Sequence, residues 1–85
     1  MEVPLIIWHS VRKYFSTHMQ EYKVQDILRV DDSNNNFMVI AQHKGGSWSC
    51  WTNWDEVNQK LSGQHDDMPD YNMAVLVCEY LLNEN

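Results

Sequence analysis

The chain reads Phe37-Met38-Val39-Ile40-Ala41 without a polar interruption. In a strand, alternate side chains point to opposite faces, so a run that is apolar at every position needs cover on both faces. Turn-forming residues bound it, Asp31-Asp32-Ser33-Asn34-Asn35-Asn36 before and Lys44-Gly45-Gly46 after. A central strand is therefore expected here, and the rest of an 85-residue chain has to be arranged around it. A chain of this length holds a single core, so residues 1–85 are expected to form one small domain.

The flanking segments supply the other elements. Trp8, Val11, Tyr14, Phe15, Met19 and Tyr22 recur at helical spacing, with His9, Ser10, Arg12, Lys13, Ser16 and Thr17 on the other side, which predicts a helix over about 6–21. Val24, Leu28 and Val30 share a face in a strand over 22–30 that Asp26 marks as an edge. After the glycine turn, residues 47–52 read as a third strand. Thr52 or Asn53 is placed to cap a short helix with Asp55 and Glu56 in its first turn and Val57 and Leu61 facing inward, ending at Ser62-Gly63. Asp70 then caps a last helix reaching about Leu82. The expected fold class is α+β, in the order α-β-β-β-α-α, with a three-stranded antiparallel sheet packed against helices. The order resembles that of a double-stranded RNA-binding domain, α-β-β-β-α. Such a domain implies a basic start to its last helix. Here Asp66, Asp67 and Asp70 occupy that place, which argues against RNA binding.

Charge narrows the function classes. Twelve acids against six bases give a formal charge of −6. Residues 1–54 balance five acids with five bases, whereas residues 55–85 hold seven acids and Lys60. That distribution disfavours direct contact with nucleic acid or an anionic membrane surface. No apolar run approaches the roughly 18 residues that cross a bilayer, and the N-terminal stretch lacks the layout of a signal peptide. With Cys50 and Cys78 as its cysteines, the chain is expected to be cytoplasmic with reduced thiols, a single bridge being left open.

Few constellations carry chemistry. Cys50 with His43 is the nearest approach to a nucleophile and base, yet Cys50 shares its strand face with Trp48 and is expected to be buried and inert. Asp32-x-Asn34-x-Asn36 lacks the glycine and the closing glutamate of a calcium loop, and His65-Asp66-Asp67 with Asp70 reads as a solvated loop before a helix cap. The cysteines and histidines show no paired zinc spacing. No enzyme and no cofactor is expected.

What remains is binding. Tyr71, Ala74, Val75, Cys78, Leu81 and Leu82 form one apolar face of the last helix, while Met73, Leu76, Val77 and Tyr80 form a second that a small domain can hardly enclose. Trp48, Trp51 and Trp54 cluster within seven residues, and alternation sends Trp48 and Trp51 to opposite faces, so at least one of the three is expected to be exposed. The function expected is that of a small acidic binding protein that masks a basic partner surface, as nuclease inhibitors, immunity proteins and phage-encoded anti-defence proteins do. Asp55, Glu56, Asp66, Asp67 and Asp70 would supply charge, and Trp51, Trp54, Leu76 and Tyr80 apolar anchoring. A homodimer built on the last helix, and a small-ligand or carbohydrate module built on the tryptophans, are the alternatives.

Overall fold

A computed structural model describes residues 3–29, 37–52, 54–65 and 67–84, leaving aside the side chains of 82–84. The elements run α1 (Leu5–His18), β1 (Tyr22–Arg29), β2 (Phe37–His43), β3 (Trp48–Trp51) and α2 (Tyr71–Glu84). The sheet order is β1-β2-β3, antiparallel throughout, so β2 is central and β1 lies at an edge, as expected.

Phe37 to Ala41 of β2 are all buried, because α1 and α2 cover opposite faces of the sheet. On one face Ile7, Val11 and Phe15 of α1, each four residues apart, meet Ile27, Phe37, Val39, Ala41 and Trp51. On the other face Ala74 and Cys78 of α2 meet Met38, Ile40 and Cys50. Each large apolar side chain taken from water here contributes on the order of 1.5–3 kcal/mol, so this double covering of β2 is the fold's main source of stability.

The turns follow local chemistry. α1 ends where the Met19 N–H donates to Phe15 O at 2.8 Å. Gly46, at φ 104°, takes the left-handed conformation that closes the β2–β3 turn. In β1 the register shifts between Val24 and Asp26, an irregularity that inserts Gln25 without a partner.

The short helix expected over about 52–62 does not form. The Asp55 carboxylate accepts the N–H groups of Val57 at 2.9 Å and Asn58 at 3.0 Å, as a helix cap would. The chain then turns back through Gln59 at φ 51°, and Asp55 and Lys60 exchange backbone hydrogen bonds at 2.9 and 3.3 Å. A helix this short needs an apolar surface to cover, and α1 and α2 have already taken both sheet faces. Val57, which was to face inward, is 87% exposed. The observed order is therefore α-β-β-β-α.

Candidate functional site

The segment after this turn runs back along the outer edge of β3. Thr52 N–H donates to Gly63 O at 3.4 Å, His65 N–H to Cys50 O at 3.0 Å and Trp48 N–H to Met68 O at 3.2 Å. Gln64 thus lies opposite Trp51 and Met68 opposite Trp48. The expected acidic patch is split by this arrangement. Asp55 and Glu56 lie beyond the C-terminal end of β3, and Asp67 and Asp70 beside its N-terminal end, roughly 10 Å away along a four-residue strand. Asp66 lies outside the described residues, as do Asp32, Asn34 and Asn36 of the calcium-like run.

Each described aspartate of the proposed patch also has a structural task. Asp55 builds its turn, and hydrogen bonds from the Asn58 backbone and side chain hold its carboxyl below the usual range. Asp67 accepts the hydroxyl of Ser49 at 2.7 Å, and Ser49 is fully buried. Asp70 caps α2 as expected, accepting the Met73 N–H at 2.8 Å. Glu56 is exposed.

Trp51 and Trp54 are not available as anchors, being 2% and 1% exposed. Trp51 meets Phe15 and Tyr22 edge-on at 5.0 and 5.2 Å, and Trp54 meets Tyr14 at 5.8 Å. Trp48 does take the opposite face, yet it is half-buried against Tyr71 at 5.3 Å. The expected exposed tryptophan fails because helices cover both faces rather than one.

The thiols differ from expectation too. Cys50 of β3 and Cys78 of α2 form a disulfide with a Cα separation of 6.3 Å, both residues being fully buried. No thiol is left on Cys50 for a nucleophile, and the His43 ring instead accepts the Gly45 N–H at 3.0 Å. A second tie joins α2 to the sheet, since the Tyr71 hydroxyl donates to Asp26 at 2.6 Å. Burial, then that hydrogen bond and the nearby negative charge, push the Tyr71 hydroxyl up to about 12.

The expected anchors on α2 stand as surface. Leu76 is 60% and Tyr80 64% exposed, and with His65, Met68, Val77 and Leu81 they line an open apolar groove. Met73 continues the stripe toward Asp70. Sequence reasoning missed Met68 and His65, because their place beside α2 depends on the pairing of Gly63, His65 and Met68 with β3. Asp67 and Asp70 flank Met68 in the chain, and Glu79 is exposed between Leu76 and Tyr80. Among the described residues no group of three His, Cys, Asp or Glu is arranged to hold a metal ion, and no helix is long and apolar enough to cross a membrane. No family model matches the chain, nor does any curated protein or solved structure.

Proposed function

We propose that this domain is a non-enzymatic binding protein whose docking face is the outward side of α2, and that its partner presents a basic, apolar surface. The reading rests on the exposed stripe Met73, Leu76 and Tyr80, bordered by Asp67, Asp70 and Glu79, in a stretch, 61–85, without Lys or Arg. Apolar groups at the centre of such a patch give affinity, and the acidic border favours a cationic partner and repels an anionic one.

Charge also separates this reading from the homodimer. A two-fold pairing of α2 would bring Asp70 and Glu79 toward the same residues of a second copy with no cation between them. Burial of Trp51 and Trp54 removes the support for a carbohydrate module. The cytoplasmic placement inferred from reduced thiols loses that argument, because disulfides persist in oxidising surroundings.

The test uses a synthetic amphipathic peptide of leucine and lysine as the probe. Binding by calorimetry should weaken at least about tenfold in Leu76→Ser/Tyr80→Ser, a loss of about 1.4 kcal/mol. It should weaken again when salt is raised from about 50 to about 500 mM. Both side chains are exposed, so the melting temperature should hold. Equal binding by the variant would overturn the docking face. Light scattering that shows a dimer dispersed by the same substitutions would favour self-association instead.

A further inference from the structure

We propose a second binding site, of opposite charge, where an extended acidic peptide adds to the free edge of β1 beneath α1. The sheet's two edges are treated differently by the fold. The chain's own Gly63, Gln64, His65 and Met68 close the edge of β3. Among the described residues no backbone hydrogen bond reaches the outer edge of β1 from Lys23 to Gln25. In an edge strand alternate residues turn N–H and C=O groups away from the neighbouring strand, so this stretch offers unpaired groups to an incoming backbone.

A trough runs along that edge, lined by Arg12, Phe15, Ser16 and Gln20 together with Tyr22, Lys23 and Val24. Tyr22 and Val24 belong to the face that α1 covers. Lys23, between them, points to the opposite face. A depression touched by all three lies at the rim of the strand rather than over one face, and its wall therefore includes the strand's backbone. A second hollow, lined by Gln42, His43 and Lys44, shares Gln20, Tyr22 and Lys23 with the first, so the trough continues toward the β2–β3 turn.

The far end is closed off. At the irregularity between Val24 and Asp26 the strand bends, and beyond it the Ile27 N–H donates to the Asp26 carboxylate at 2.9 Å. Asp26 thus occupies an edge group that a peptide would otherwise use, and the open stretch ends at Gln25.

Charge and texture name the occupant. Arg12, set over the Trp8 ring at 4.9 Å, Lys23 and Lys44 border the trough, and no Asp or Glu is among the described residues lining it. The half-buried Tyr22 and Val24 supply an apolar wall, with the buried Phe15 beneath them. An open trough beside a free strand edge suits a chain that lies along it, as in recognition by strand addition. The peptide should alternate acidic and apolar residues, its apolar side chains toward Tyr22 and Val24. A nucleic acid strand would meet the same cations but carries no backbone N–H to pair with β1, and the surplus of acids repels it at longer range.

The probe is a blocked octapeptide of alternating glutamate and valine, followed by amide shifts of the isotopically labelled protein. Shifts should be confined to residues 12–16, 20–25 and 42–44. The dissociation constant should rise at least about tenfold in Arg12→Gln/Lys23→Gln, where two charge contacts are lost. A peptide N-methylated at alternate residues should lose binding, since it cannot pair with the strand. Arg12 and Lys23 are exposed, and the unbound spectrum verifies that the variant keeps its fold. The proposal is overturned if millimolar peptide leaves these amides unmoved, if the N-methylated peptide binds equally, or if oligothymidylate moves them more strongly. None of these outcomes bears on the α2 face.

Discussion

A solvated loop position implies that neutralising Asp67 costs the fold little, and its bond to Ser49 implies the opposite. The Ser49 hydroxyl is fully buried on β3 and its described acceptor is the Asp67 carboxylate at 2.7 Å. Removing the acceptor strands a buried donor, at about 1–3 kcal/mol. Asp67→Ala should therefore lose about 2 kcal/mol. Asp67→Asn keeps an oxygen in place and should lose about 0.5 kcal/mol, a neutral acceptor being weaker than a charged one. Both variants remove the same charge from a chain of net −6, so their difference isolates the hydrogen bond from any relief of repulsion. Ser49→Ala frees an exposed carboxylate to water and should cost about 0.5–1 kcal/mol. The double alanine variant should then be no worse than Asp67→Ala, which gives a coupling of at least about 0.5–1 kcal/mol.

Urea unfolding followed by tryptophan fluorescence reads these differences, since Trp51 and Trp54 are buried in the core. For a small domain the slope is about 1 kcal/mol per molar urea, so Asp67→Ala should lower the midpoint by about 2 M and Asp67→Asn by about 0.5 M. The reasoning fails if the alanine and asparagine variants unfold together, or if the Ser49 and Asp67 effects simply add.

Three other perturbations give separable outcomes. The disulfide closes a loop over a separation of 28 residues, for which loop entropy gives about 3.5 kcal/mol; reduction, or Cys50→Ala/Cys78→Ala, should lower the melting temperature by about 15–25 °C, and melts unchanged by reductant would refute it. Tyr71, raised from 10.0 to about 12, keeps its proton in the folded state while the unfolded chain loses it; its contribution is present below pH 10 and is lost as pH rises from 10 to about 12. Over that window melting temperatures should fall less steeply for Tyr71→Phe than for the parent, and parallel curves would remove the tie to Asp26. With Trp8 and Trp48 both replaced by Phe, the remaining emission from Trp51 and Trp54 should resist acrylamide until urea unfolds the chain, and ready quenching of the native form would contradict their burial.

The fold was largely legible because its decisive signals are local. The apolar run of β2, the glycine turn after it, the periodic face of α1 and the Asp70 cap are each contained within a few residues, and the structure places elements at all of them. The failed helix after β3 shows where local signals stop deciding. Asp55 is a sound cap in both outcomes, capturing the Val57 and Asn58 N–H groups whether or not a helix follows. What selects between a helix and a turn is whether Val57 finds apolar surface to cover, and that depends on how much sheet α1 and α2 have already taken.

The tryptophans carry the same lesson toward the site, and here the deciding signal was present in the sequence. Phe37 to Ala41 demands cover on both faces of β2, and β3 is its hydrogen-bonded neighbour. Layers that cover both faces of a central strand extend over the strand beside it. Trp48 and Trp51, on opposite faces, therefore both come under a helix, and the alternation that suggested an exposed anchor implies two covered ones. Taking both faces commits α1 and α2 to opposite sides of a narrow sheet, which leaves each with an outer side that is exposed among the described residues. On α1 that side is polar beyond the first turn, where Leu5 and Ile6 are exposed, with Arg12, Lys13, Ser16 and Thr17 facing water. On α2 it is Met73, Leu76 and Tyr80. The same demand that buries the tryptophans thus sends the surplus apolar residues of the last helix outward, and moves the candidate docking surface from the tryptophan cluster to α2.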